Sequence, residues 1–137
     1  MQAHFANWSV VKMIGGIPWP YPADGARTYI AMRLEEARHK EIHFWGLFLR
    51  TRPDTLIGTI EYRFFDDEDE NRGFWLAEPF WGQGLMTEAV VITQDYIFFD
   101  LGKPRLQVRS LCTNAASKAI KEKTGARWIG TRMGCYH

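Results

Sequence analysis

No apolar run in this chain of 137 residues approaches the ~20 that a membrane-crossing helix needs. The start, MQAHFANWSV, lacks both the basic stretch and the continuous apolar core of a secretory leader. The sequence therefore predicts no membrane partner and a cytoplasmic location. Cysteine is scarce. Cys112 and Cys135 have no CxxC spacing, which argues against a disulfide framework and for free thiols in a reducing compartment. Charge of one sign is lacking too. Lys plus Arg number 17 against 16 Asp plus Glu, a net charge of +1 that gives no reason to expect nucleic acid as partner. His39 and His43 sit in HKEIH, which is not HExxH and has no acidic third ligand at matching spacing, so no metal is predicted. Repeats, linkers and low-complexity tracts are absent, so residues 1–137 read as one domain. What is present is bulk for a core: 46% of residues are hydrophobic and six are tryptophan.

The patterning alternates between helix and strand. Trp8–Ile14 reads as a short helix ended by Gly15 and Gly16. Pro18, Pro20 and Pro22 around Trp19 and Tyr21 favour an extended loop. Asp24 caps a predicted helix to about Lys40, with Ala26, Ile30, Leu34 and Ala37 as its apolar stripe. Ile42–Arg50 and Thr55–Phe65 read as strands joined across Arg52-Pro53-Asp54, and Asp66–Asn71 as a solvated acidic turn. A strand at Phe74–Ala77 precedes a largely buried helix over Gly84–Phe99. Arg105–Leu111 and Ala126–Thr131 read as strands around a helix over Asn114–Thr124 closed by Gly125. The fold class is α/β (α+β), a mixed, mostly antiparallel central sheet flanked by helices.

The richest stretch is FWLAEPFWGQGLMTEA, Phe74–Ala89. Gly82 and Gly84 allow a sharp turn and close approach of a ligand to the backbone. A helix opening on such a turn presents free N–H groups and a partial positive charge, a ready phosphate site. It is not a P-loop, because Leu85 and Met86 stand where Lys and Ser/Thr are needed. It is not the dinucleotide fingerprint, because Thr87 replaces the third glycine. Two readings stand on the residues alone: a phosphate cradle, or a turn with no ligand.

WGQGLMTEA resembles motif A of the GNAT superfamily, the Gcn-related N-acetyltransferases, in the form seen in the Rim-type ribosomal-protein N-terminal acetyltransferase branch. TNAASKAIKEKTGARWIGT, Thr113–Thr131, is similar to that branch's Asn-x-x-Ser helix and following strand. WSVVKMIGGIPWPYP resembles the end of its first helix and the loop before its second. The resemblance implies acetyl transfer from acetyl-CoA (coenzyme A as carrier) to a primary amine, a protein N-terminus in the first reading. A small-amine acetyltransferase acting on a polyamine or aminoglycoside, and a non-catalytic acetyl-CoA-binding module, are the alternatives.

The same resemblance assigns roles. Backbone amides of Trp81, Gly82, Gln83, Gly84, Leu85 and Met86 would cradle the pyrophosphate. The family's usual Arg or Gln three residues before the first glycine is Pro79 here, which removes one side-chain contact. Main-chain groups at Trp75 and Leu76, on a strand that splays in relatives, would meet the pantetheine and thioester. Asn114 would bond the pantetheine, or else simply cap its helix. Ser117 would protonate the leaving thiolate. The general base departs from the family pattern: relatives carry Glu two residues before the glycine matching Gly73, and Asn71, which cannot take a proton, stands there. Glu61, on the preceding strand, is a candidate if it faces the cleft; otherwise it is a solvated strand residue and water relays the proton. An α-amine, pKa ~8, is easier to deprotonate than lysine, pKa ~10.4. Trp19 and Tyr21 are expected to form an acceptor-side lid or to pack on the core. Nothing matches the family's first strand, and only Arg132–His137 follow the last predicted strand. Terminal strands are therefore expected to be missing, with a homodimer covering the exposed edge.

Overall fold

The computed structural model describes residues 1–65 and 70–133. Three strands form an antiparallel sheet in the order β1 (Ile42–Leu49), β2 (Arg52–Arg63), β3 (Arg72–Leu76). Helices α1 (Gln2–Phe5), α2 (Trp8–Val11) and α3 (Gly25–Glu36) precede it. A 3₁₀ turn (Glu78–Phe80), α4 (Leu85–Asp95) and α5 (Ala115–Lys123) follow.

Side chains alternate across β3, and each face of the sheet builds its own core. Trp75 and Ala77 pack with Phe5, Val10 and Val11 of the N-terminal helices. Ile60 and Tyr62 pack with Met86, Val90 and Ile97, joined by Phe74 and Leu76. The sheet is thus the middle of three layers, and β3 lies between both helical layers.

Several elements depart from the sequence expectation. The hairpin turn falls at Arg50–Thr51, two residues early. Pro53 fits inside β2 because the register slips beside it, at Phe48 and Leu49. In α3 the expected stripe is not the buried face: Ala26 is buried, but Ile30 and Leu34 are exposed. The inward face carries Tyr29 and Arg33, drawn to a carboxylate on β2. In α4 Met86, Val90 and Thr93 are buried, while Val91 and Ile92 face outward. Its last turn widens into a π-helical turn, Tyr96–Asp100, with Phe99 exposed. Arg105–Leu111 and Ala126–Thr131 are irregular rather than strands. Alternation makes a strand only where a partner edge runs alongside it. Gln107 O accepts from Asn71 N–H at 2.7 Å, but Gln107 N–H turns to the Asn71 side chain, and no ladder follows. Of the acidic run, Asp66–Asp69 lie outside the described residues, as does Cys135; Cys112 is an exposed free thiol.

Candidate active site

β3 is an edge strand among the described residues. Arg63 N–H bonds Asn71 O and Ala77 N–H bonds Ile57 O. By the antiparallel alternation, Gly73 and Trp75 turn their main-chain groups to β2, while Phe74 and Leu76 turn theirs outward. Beyond the Asn71–Gln107 contact the chain at Arg109 and Ser110 stands across a cavity of about 1170 Å³. Gly73 and Trp75 on one face and Phe74 and Leu76 on the other all line it. The cavity therefore wraps the free edge of the strand. Small-molecule pockets span roughly 300–1,000 Å³, so this one has room for a long donor and an acceptor.

The glycine turn closes one end. Gly82 (φ +73°) and Gly84 (φ +79°) are left-handed, which other residues adopt only under strain. A Cβ at either would meet no atom within 4 Å. Open space thus lies over a backbone turn at the N-terminus of α4, the geometry an anion needs. Trp81 braces the turn against the end of β3, its indole N–H donating to the outward Leu76 O at 2.6 Å. Trp81, Gly82, Gly84, Leu85 and Met86 line the cavity. Gln83 does not; its amide donates to Pro79 O at 3.0 Å and braces the turn.

Opposite stands the start of α5. Asn114 is its N-cap, with Oδ1 accepting from Ser117 N–H at 3.0 Å. Asn114 and Ser117 line the cavity, so capping and ligand contact are compatible. Ser117 Oγ accepts from the Lys121 ammonium at 2.6 Å. Tyr21 lines the cavity and stacks on Phe5 at 5.2 Å, whereas Trp19 lies half-exposed against Trp8.

Glu61 also lines the cavity, but its oxygens are occupied. Oε1 accepts from Arg33 at 3.1 Å and Arg63 at 2.8 Å, and Oε2 from the Tyr29 hydroxyl at 3.0 Å. Burial and the Glu61 charge push the Tyr29 phenol up to about 12. The group works as a buried joint between α3 and β2. Glu61→Gln is expected to cost about 3 kcal/mol, the low end for a broken buried ion pair because Arg33 keeps Glu36 at 2.6 Å. Urea unfolding checks this, and an unchanged midpoint refutes the structural role.

The residue that sequence reasoning passed over is Glu70. Counted with the acidic turn, it instead lines the cavity. Burial raises its carboxyl above the ordinary range, against the pull of Arg63, Arg109 and Lys121. It stands one residue before Asn71, where relatives place their Glu; allowing a one-residue offset would have found it. Among the described residues no cluster of three metal-ligating side chains occurs.

Residues 1–127 match the family described as Acetyltransferase (GNAT) domain. A curated relative, the probable N-acetyltransferase YjcK of Bacillus subtilis (strain 168), is 30% identical over 108 residues, covering 77% of this chain and 59% of its own length. The Mycobacterium smegmatis RimJ structure in complex with CoA-disulfide superposes with a TM-score of 0.69 at 20% identity, over 86% of this chain and 57% of that one. Ribosomal-protein-S5-alanine acetyltransferase from Vibrio fischeri gives 0.61 at 20% identity, over 74% and 57%. The chain thus spans less than two thirds of the length of these relatives. At such identities the two structures speak for the fold alone. With the family match over nearly the whole chain, and the glycine turn, free strand edge and capped α5 meeting at one cavity, the chain belongs to the GNAT acetyltransferase family.

Proposed function

We propose that this protein transfers the acetyl group of acetyl-CoA to a primary amine, most directly a protein N-terminal amine. The single observation that carries this is the continuity of one cavity from the open turn at Gly82–Gly84, along the free edge of β3, to the Glu70 carboxylate. The residues fit the donor. Turn amides suit a pyrophosphate, and the outward main-chain groups of Phe74 with the outward N–H of Leu76, whose carbonyl is held by Trp81, suit an amide-rich arm and a polarised thioester oxygen. Acetyl-CoA supplies the activated acyl group. The chain's residues orient it, hold charge and move protons.

In this reading Glu70, rather than Glu61, takes the proton from the acceptor nitrogen. A carboxylate with a raised pKa is the better base near neutrality, and Glu61 must first break a bond to Tyr29 or an arginine. Ser117 gives a proton to the leaving sulfur. The N-terminal acceptor is supported by the fold likeness to an enzyme named for a ribosomal-protein alanine. It is also the amine easier to deprotonate. The test is release of free thiol from acetyl-CoA with peptides of free N-terminus, against the same peptides blocked and against polyamines. Turnover only with free N-termini is expected. Turnover only with polyamines selects the small-amine reading, and acetyl-CoA binding without turnover selects the binding module.

Self-association is proposed on a separate footing. Ile92, Phe99, Trp128 and Ile129 are large apolar side chains left mostly exposed. Light scattering at micromolar concentration is expected to give twice the chain mass of 15.9 kDa. A concentration-independent single mass contradicts it.

A further inference from the structure

Lys121 is half-buried, and no carboxylate among the described residues bonds to it. Its ammonium lies over the Phe74 ring, 5.6 Å from the centroid, and donates to Ser117 Oγ one helical turn back. Arg72 of β3 repels it, and Glu70 ahead of β3 attracts it; Arg63 and Arg109 in turn face Glu70. Arg72 is itself 3% exposed, with Nε and one terminal nitrogen unbonded, so cations crowd this layer. Burial and Arg72 bring the Lys121 ammonium down to about 8.

An ammonium only donates, whereas a hydroxyl has one proton and two lone pairs. With Lys121 on one lone pair, the Ser117 proton must point elsewhere, and the open side of Ser117 is the cavity. We propose that Lys121 is the positioning residue and proton reservoir of Ser117, fixing its hydroxyl as a donor into the cavity and replacing the proton it gives up. This rests on the acetyl-transfer reading. As the carbon–nitrogen bond forms and the carbon–sulfur bond breaks, Ser117 passes its proton to the sulfur, which keeps the bonding pair. Ser117 Oγ takes a proton from Lys121 Nζ, leaving a neutral amine that solvent reprotonates before the next turnover. The proton from the acceptor nitrogen leaves separately through Glu70.

Three variants and one titration test this. The protonated form of Lys121 is the working one, so wild-type kcat is expected to fall as pH rises past about 8. Lys121→Met is expected to lower kcat about 10²-fold, to leave KM for acetyl-CoA within about twofold, and to lose that alkaline fall. Adding it to Ser117→Ala is expected to slow the enzyme no further, because the two act as one unit. Lys121→Arg keeps the charge and the bond but cannot give up its proton, so it is expected to stay as slow as Lys121→Met. Wild-type kcat in Lys121→Met or in Lys121→Arg overturns the reservoir. Nitrogen-detected NMR of Lys121 Nζ in the free protein needs no turnover. A midpoint near 8 that drops further in Ser117→Ala is expected. An ordinary midpoint of ~10.4, indifferent to Ser117→Ala, overturns the coupling. If wild type acetylates no amine, the acetyl-transfer reading fails, and the titration still decides the Lys121–Ser117 pair.

Discussion

Gly84→Val is expected to cut coenzyme A affinity by roughly 30- to 1,000-fold, a loss of about 2–4 kcal/mol or a few charge-assisted hydrogen bonds. The protein itself has room for the new side chain, since a Cβ at Gly84 meets nothing within 4 Å. The added atoms would occupy the space over the turn where the pyrophosphate must sit to reach the backbone amides. The substitution also strains the fold, because φ at Gly84 is +79°. That strain costs about 1–2 kcal/mol of stability. Gly102→Val separates the two effects. Gly102 also has a positive φ, +64°, and open space around its Cβ, but it does not line the cavity. It is expected to lose similar stability and bind coenzyme A normally. Calorimetry reads both. Equal affinity in Gly84→Val and wild type removes the phosphate from this turn.

Glu70→Gln is expected to reduce kcat by about 10²–10⁴-fold while leaving acetyl-CoA affinity within about twofold. The amide matches the carboxyl in shape but cannot take the acceptor's proton. The pH dependence carries a sign. Glu70 works deprotonated and burial raises its pKa, so wild-type kcat is low at acid pH and climbs as pH passes through that raised value. Lys121 works protonated, which brings the rate down again past about 8. The profile is therefore a bell. Glu70→Gln is expected to flatten its acid side and leave the alkaline side in place. Steady-state kinetics across the pH range measure this. A variant with wild-type kcat and an intact acid limb shows that another group is the base.

What the sequence made legible follows from local chemistry. The turn at Gly82–Gly84 was readable because left-handed backbone needs glycine, and the cap at Asn114 because an exposed helix N–H needs a short polar acceptor. The glycine-turn strand, its helix and the α5 cap meet at one cavity as the motif order implies. What escaped was decided by distant partners. The stripe Ala26–Ile30–Leu34 predicts a helix face, yet α3 turns Tyr29 and Arg33 inward because Glu61, buried on β2, must be paired. Glu70 reads as one more solvated acid until the fold half-buries it beside Arg63 and Arg109. Nothing in the sequence singles out Lys121 on its charged helix, and only the packing of α5 against Phe74 half-covers it. Arg105–Leu111 alternates as a strand does, but pairing depends on a neighbour's edge, and that edge diverges after Asn71.

Amide hydrogen exchange, with and without coenzyme A, tests the central claim most directly because it needs no knowledge of the acceptor. The expected result is ligand-dependent protection at Trp81–Met86 and on the outward amides of Phe74 and Leu76, with a smaller effect at the start of α5. Protection confined to other segments, or none at saturating coenzyme A, would contradict this account of the site.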